Sequence, residues 1–241
     1  MRANPQSPVR HALVLLAACL LAGCGGGAKG TIGPPPPPPQ VTKNDTPANA
    51  LQCFLEAYDQ KLDAPYAALF TSDFHFTFSA DTDPSLVVQY GPNWSKDDEA
   101  QSATHLFHGF TSGATGTYLP GATHITMALN SVQFFDDPAH TDSTDSYKWA
   151  TVARVVLAVE VPGNPDPQVY NIDARQEFYL VRGDAAVLDA GQEARADRWY
   201  IRRWDDLSTN LAAPARPALD AGDPPTPTRA ATWGSLKSQY R

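Results

Sequence analysis

The run YKWATVARVVLAVEV, Tyr147–Val161, constrains the fold more than any other part of this 241-residue chain. Apolar and polar residues alternate along it with the period of two that is typical of a β-strand. One side carries Tyr147, Trp149, Val155, Leu157, Val159 and Val161, and the other carries Lys148, Arg154 and Glu160. The pattern predicts a long strand with one face in a core and the other face at least partly in water.

Four other segments read as strands: DFHFTFSA, ATHITMALNSVQFFDD, VYNIDARQEFYLVR and DRWYIRRWDDL. In the second of these, the apolar positions change parity at Asn130 and Ser131. A change of parity inside a strand indicates a β-bulge, which bends the strand. These segments predict a sheet of long, bent strands.

Helical patterns precede the long strands. NDTPANALQCFLEAYDQKL has Thr46 as an N-cap and Pro47 at the favoured first helical position. NWSKDDEAQSATHLFHGF begins with Ser95 and Asp98 in the spacing of a capping box. Helices followed by antiparallel strands are the α+β pattern. We expect a cone-like, strongly curved antiparallel sheet wrapped around N-terminal helices.

This order of elements resembles the nuclear-transport-factor-two-like superfamily. The likeness is greatest in AYDQKLDAPYAALFTSDFHFTF and WYIRRWDDL, and it covers roughly residues 46–207. The resemblance implies a cone-shaped fold with an open end, as in ketosteroid isomerases and polyketide-cyclase-like proteins. In ketosteroid isomerases, an aspartate base faces a tyrosine and a protonated aspartic acid inside the cone.

The apolar run at residues 12–22 is too short for a membrane span, which needs about 20 residues. It follows Arg2 and Arg10, as in a secretory signal peptide. The next residues, Leu21-Ala22-Gly23-Cys24, resemble the bacterial lipobox, whose cysteine is acylated and becomes the first residue of the mature chain. We therefore expect lipidation, with palmitate or a similar acyl chain, at Cys24.

The chain divides by composition into a lipoprotein signal peptide at 1–23 and a lipidated cysteine with a Gly/Pro-rich polyproline tether at 24–44. An α+β domain at 45–210, a Pro/Ala-rich linker at 211–231 and a docking segment at 232–241 follow. In the docking segment, Trp233, Leu236 and Tyr240 have helical spacing, and we expect them to pack on the domain; a free peptide that binds another protein is the alternative.

Acidic residues outnumber basic ones by 26 to 18, which gives a formal net charge of −8. Such a chain repels nucleic acid, so nucleic acid is not an expected partner. The expected partners are the membrane, through the lipid anchor, and a small apolar ligand or an envelope protein; a homodimer formed through the sheet is a further hypothesis. The expected location is the bacterial cell envelope, in the outer membrane facing the periplasm.

The cone's open end is where the resemblance places a ligand. The candidate ligand-binding residues there are Tyr58, Phe76, Tyr90, Trp94 and His105, and the candidate catalytic residues are Tyr58 and Asp205. His105 and His108 could form half of a metal site with His75 or His124, but no carboxylate has the accompanying spacing, so we predict neither metal nor other cofactor. The main hypothesis is a non-catalytic binding or assembly domain; the alternative is an isomerase- or cyclase-like enzyme that uses Tyr and Asp in the cone.

Overall fold

The computed structural model describes residues 40–79, 84–163, 166–208 and 228–241. The signal peptide at 1–23, Cys24, most of the tether and most of the linker lie outside the described residues.

The described chain contains helices and strands in the order predicted for an α+β protein. The helices are α1 (Pro47–Asp59), α2 (Asp63–Ala67), α3 (Pro84–Tyr90), α4 (Lys96–His108) and α5 (Trp233–Gln239). The strands are β1 (Phe70–Thr77), β2 (Asn93–Ser95), β3 (Gly109–Thr111), β4 (Tyr118–Pro120), β5 (His124–Asp136), β6 (Tyr147–Val161), β7 (Gln168–Arg182), β8 (Trp199–Asp206) and β9 (Thr228–Ala230).

A seven-stranded sheet organises the fold. Its order is β2-β1-β8-β7-β6-β5, and β9 pairs with β7. The pairs β1–β8 and β7–β9 are parallel, and the other pairs are antiparallel. The sheet is strongly curved but not closed. The predicted fold class, a strongly curved and largely antiparallel sheet with helices packed on it, is confirmed.

Helix α1 packs on the inner face of the sheet, which we define as the face that carries Phe178 and Trp204. The ring of Phe54 lies 5.5 Å from that of Phe178 and 5.2 Å from that of Trp204. The helix begins where the sequence predicts, because the hydroxyl of Thr46 accepts a hydrogen bond from the backbone N–H of Asn49 at 3.0 Å. This start directs the apolar face of α1 into the sheet.

The strand irregularity lies at the predicted position in β5, and β6 shares it. Ser131 has a φ of 57°, and Leu129 and Val132 on either side of Asn130 and Ser131 both pack against the core, while β5 and β6 stay in register. The extra residue is on β6, between Val152 and Val155, relative to β7. The expectation that Tyr147 and Trp149 share the core face with Val155 is therefore wrong, because the bulge turns them to the outer face.

Some local elements of the structure are absent from the sequence analysis. Helix α3 and the β3–β4 hairpin were not predicted, since neither segment has a clear period. Residues expected to dock as one or two helical turns form α5, in which Trp233 and Leu236 are fully buried, followed by Tyr240 at 3% exposure.

Among the described residues, none of the helices is long and apolar enough to cross a membrane.

Candidate functional site: a buried ammonium group inside the curved sheet

The space between the sheet and its helices is filled with aromatic side chains. The ring of Tyr58 lies 5.4 Å from Tyr66, 5.1 Å from Phe107 and 5.6 Å from Trp233. The ring of Trp204 lies 5.1 Å from Phe76 and 4.9 Å from Trp233. Tilted and edge-on contacts at these distances are favourable for aromatic pairs. The interior of the curved sheet is therefore packed as a core.

One ion pair is buried at the centre of this core. The ammonium nitrogen of Lys237 on α5 lies 2.7 Å from Oε2 of Glu99 on α4, and both side chains are at most 2% exposed. The hydroxyl of Tyr66 donates a hydrogen bond to the other carboxylate oxygen of Glu99 at 2.6 Å. Both oxygens of Glu99 thus have a partner, which a buried carboxylate requires.

Helix caps set the positions of both charges. At the start of α4, the side chain of Ser95 and the carboxylate of Asp98 form a capping box, and Glu99 follows directly. At the start of α5, Thr232 and Ser235 form a second capping box, and Lys237 lies within the single turn that follows. Because each cap fixes the start of its helix, each charge is held on the face that points into the sheet.

Aromatic rings surround the ammonium group of Lys237. Its nitrogen lies 3.5 Å from the ring centre of Trp204, 3.6 Å from that of Phe76 and 5.3 Å from that of Trp233. A cation over an aromatic face within about 6 Å is attracted by the negative face of the ring, most strongly when water is excluded. The ammonium group therefore has one carboxylate and three rings as neighbours.

Burial changes the protonation behaviour of this cluster. Desolvation lowers the pKa of Lys237 to about 8, and the charge and hydrogen bond of Glu99 oppose that change. Desolvation, followed by the charge of Glu99, raises the pKa of Tyr58 and of Tyr66 well above its ordinary value. Both phenols are therefore neutral at ordinary pH, and neither is a base.

The structure places some of the sequence-predicted site residues together. Tyr58 and Phe76 belong to the aromatic core around Trp204, and Phe76 contacts Trp94 at 6.4 Å between ring centres. Tyr90 is partly buried and lies 6.0 Å from Trp94.

The other predicted residues lie apart from this core. His105 stacks on Phe110 at 4.1 Å, and its Nδ1 bonds the carbonyl oxygen of Tyr240. Asp205 does not face the interior, since it follows the buried Trp204 along β8 and forms an ion pair with Arg203 on the outer face. Tyr58 and Asp205 therefore do not meet in one cavity, as the enzyme alternative requires.

Sequence reasoning missed the central pair. Glu99 is one of three acids in the first turn of α4, and acids at the start of a helix are common, so its presence there does not by itself indicate a buried pair. The signal that could have found it is its position on the apolar face of α4, in line with Ala103 and Leu106. Lys237 lies four residues after Trp233 on the buried face of α5 in the same way. Opposite charges on the apolar faces of two helices indicate a buried ion pair.

The histidines considered as a metal site have other partners. His108 Nε2 lies 2.8 Å from the carboxylate of Asp63, and His105 bonds Tyr240. In the part of the chain that the structure describes, no group of three or more His, Cys, Asp or Glu side chains could hold a metal ion.

A surface pocket of about 270 Å³ lies away from the ammonium group. Its walls include residues 41–44, Pro65, Gln192, Arg198 and Cys53. Burial, followed by the charge of Glu56, raises the pKa of Cys53 to about 12, so this thiol is protonated and a weak nucleophile.

The raised pKa values predict a loss of stability at alkaline pH. In the unfolded chain, the pKa of Cys53 is 9.0 and that of a tyrosine is 10.0. In the folded protein, the pKa values of Cys53 and Tyr240 are both about 12. Each such group lowers the free energy of unfolding by about 1.4 kcal/mol per pH unit between its two pKa values. Lys237 acts in the opposite direction between pH 8 and 10.5, so the loss should be steepest above that window.

Urea unfolding at a series of alkaline pH values measures this dependence. Tyr66→Phe should remove one titrating group and reduce the alkaline slope by about one proton. Tyr118→Phe is the matched control, because Tyr118 is 61% exposed and its loss should leave the slope unchanged. Equal slopes in the wild type and the Tyr66→Phe variant would contradict the prediction.

Neither a protein-family profile nor a curated protein sequence matches this chain. Solved structures match it with low identity. An uncharacterized protein with a cystatin-like fold from Caulobacter vibrioides is 14% identical, with a TM-score of 0.41, over 69% of this chain and 89% of that one. A nuclear transport factor 2-like superfamily protein from Salmonella enterica is 9% identical, with a TM-score of 0.41, over 70% and 92% of the two chains.

A hexachlorocyclohexane dehydrochlorinase from Novosphingobium barchaimii is 8% identical, with a TM-score of 0.41, over 72% of this chain and 90% of that one. At these identities the likeness concerns the fold alone.

Proposed function

We propose that this chain is a lipid-anchored lipoprotein of the bacterial envelope whose folded part is a non-catalytic assembly domain that pairs with a second copy through its outer sheet face. The observation that supports this most is the filled interior, where Tyr58, Glu99 and Lys237 are 1%, 0% and 2% exposed. Catalytic acids and bases must reach a substrate to act. Because the domain's own side chains fill its interior, a partner would bind to its outer surface.

An aromatic row on the outer face supports this surface. Phe135, Trp149 and Tyr179 are neighbours across three strands, with ring distances of 5.4 Å and 6.3 Å, and Phe135 is 44% exposed. Aromatic residues are enriched in protein interfaces, and this row offers the exposed ring of Phe135 to a partner.

The charges on the outer face favour a second copy as the partner. Arg154 pairs with Asp173 at 2.7 Å, and Arg203 pairs with Asp205 at 2.6 Å, so positive and negative groups balance on this face. The whole chain has a formal net charge of −8, which repels another copy in general. A balanced face is where two copies can approach, and symmetric self-pairing is the commonest way in which proteins form dimers.

Light scattering coupled to size exclusion tests this pairing on the soluble Cys24→Ser variant. We expect a dimer, and Phe135→Glu should convert it to a monomer because it places a charge at the exposed end of the aromatic row. Val187→Glu is the matched control, since Val187 is exposed between β7 and β8, outside the row. A monomeric parent protein, or a Phe135→Glu variant that stays dimeric, would overturn the proposed interface.

The anchor is tested separately. Cys24→Ser removes the acylated thiol and should move the protein from the membrane fraction to the soluble fraction, because stable anchoring needs the buried acyl chains. Cys53→Ser is the control, since Cys53 is buried in α1 and should not affect fractionation. A Cys24→Ser protein that stays with the membranes would refute lipid anchoring at this residue. Separation of the inner and outer membranes tests the proposed outer-membrane location, facing the periplasm.

The enzyme alternative has less support. Its acid–base pair, Tyr58 and Asp205, would need to meet in one cavity, and these residues belong to the inner and outer faces. A small apolar ligand inside the sheet would need to displace α5 with Trp233 and Leu236, and it would leave the buried carboxylate of Glu99 without a cation.

A further inference from the structure

Four side chains around the buried ammonium group come from the body of the domain. Glu99 is on α4, Tyr66 on α2, Phe76 on β1 and Trp204 on β8. We call these four residues the ammonium site. Lys237, which occupies the site, is on α5, and residues 209–227 separate α5 and β9 from β8 in the sequence. The site and its occupant thus belong to different parts of the chain.

From this arrangement we infer that the ammonium site is a binding site for the terminal ammonium group of an unbranched alkylamine, and that Lys237 is the ligand that the chain itself supplies. This site is inside the sheet, so the inference is independent of the pairing proposed for the outer face.

The composition of the ammonium site selects a cation over a neutral group. Its carboxylate has one oxygen satisfied by the Tyr66 hydroxyl and the other aimed at the ammonium nitrogen. Without a cation, the second oxygen of Glu99 would be buried and unpaired, which is strongly unfavourable. The faces of Phe76 and Trp204, at 3.6 Å and 3.5 Å from the nitrogen, add attraction for a positive charge.

The geometry also selects the shape of the ligand. A primary ammonium group is compact and has three donors, so it fits between one carboxylate and two ring faces. A planar guanidinium group would not, because it needs a wider, forked set of acceptors. The methylene groups of Lys237 are buried with its ammonium nitrogen, and the whole side chain is 2% exposed. An alkyl chain next to the ammonium group is therefore part of what the site accepts.

For an external amine to bind, α5 must leave the interior. Its attachment is made of a few groups: the side chains of Trp233, Leu236, Lys237 and Tyr240, and hydrogen bonds such as that from Ser102 to the carbonyl oxygen of Lys237. The indole N–H of Trp233 has no hydrogen-bond partner among the described residues, so the docked helix leaves a buried donor unsatisfied. An unsatisfied buried donor lowers the stability of the docked state relative to the undocked one.

The first measurement tests recognition by chemical rescue in the full mature chain. Lys237→Ala removes the part of the side chain that n-propylammonium would replace. We expect n-propylammonium chloride to bind this variant with a Kd of about 1 mM, a value within reach of so small a ligand. At about a hundred times that Kd, the Tm should rise by about 5–10 °C. Sodium chloride and n-propanol at equal concentrations should not reproduce the rise, and adding Glu99→Gln should abolish it.

The second measurement tests access in the wild-type chain. In the presence of n-pentylammonium, hydrogen exchange of the α5 amides should increase in proportion to the amine concentration, because the amine binds the minor undocked state, while the amides of β6 should stay protected. The matched neutral probe, n-pentanol, should leave α5 unchanged. Rescue of Lys237→Ala together with faster exchange in α5 supports the proposal. Rescue without faster exchange means that Lys237 is a fixed structural contact, and this outcome overturns the proposal, as does the absence of rescue.

Discussion

A chain that ends at Ala231 should lose at least about 6 kcal/mol of unfolding free energy, because Trp233, Leu236 and Tyr240 are each worth roughly 2–3 kcal/mol when buried. These three side chains are 0%, 0% and 3% exposed. The deletion also removes Lys237 and leaves the carboxylate of Glu99 without its ion-pair partner. A domain of ordinary stability has about 5–15 kcal/mol in total, so the truncated chain should be close to unfolding.

Thermal and urea unfolding of the full and truncated chains measure this loss. Gln239→Ala is the control within the same segment, because Gln239 is exposed on α5. It should leave the midpoint nearly unchanged. A truncated chain with the midpoint of the full chain would show that α5 contributes nothing to the folded state and would favour the interpretation of residues 232–241 as a free peptide.

Lys237→Met should destabilise the domain by about 3–5 kcal/mol, the cost of removing one partner from a buried ion pair. Methionine keeps most of the volume of the lysine side chain, so the loss reports the missing charge and not a cavity. Glu99→Gln added to Lys237→Met should recover part of the loss, because the remaining buried group is then neutral. The coupling between the two substitutions measures the interaction of this pair.

The outer-face pair of Arg154 and Asp173 provides the comparison. Both side chains are more than half exposed, and exposed ion pairs contribute little because water screens them. Arg154→Met should therefore change the urea midpoint far less than Lys237→Met does. Equal effects of the two substitutions, or strictly additive effects of Lys237→Met and Glu99→Gln, would contradict the assignment of Glu99 and Lys237 as the central buried pair.

Local signals in the sequence were sufficient for the individual elements. Thr46 and the Ser95–Asp98 capping box predicted the starts of α1 and α4, and the fifteen-residue alternation predicted the bounds of β6. Caps and alternation are interactions between residues close in sequence, so one sequence is enough to recognise them. The order of these elements then indicated the α+β fold class.

The arrangement across the sheet was not predictable in the same way. The alternation of β6 looks unbroken in sequence, because Ala153 is small enough to suit either face, and this hid the bulge that turns Trp149 outward. In the pair Asp205-Asp206, one carboxylate faces out and the other in, and only the register of β8 decides which. The choice of Asp205 as an interior residue was wrong for that reason.

The ammonium site illustrates the largest gap. Glu99 and Lys237 are 138 residues apart in sequence, and their pairing depends on where two separate helices dock. No pattern within either helix specifies its partner. A charged residue on an apolar face is nevertheless visible in each sequence segment, and such positions are good candidates for buried pairs.

The late position of α5 in the sequence has a consequence for how this protein is made. Strand β1 and helix α4 enclose an ammonium group and a tryptophan that the ribosome adds more than a hundred residues later. Contacts between such distant residues form slowly, because the intervening chain must first be brought together. The contacts of Trp233, Lys237 and Tyr240 therefore complete the core only after these residues have been synthesised, so the final packing of the domain is a late step.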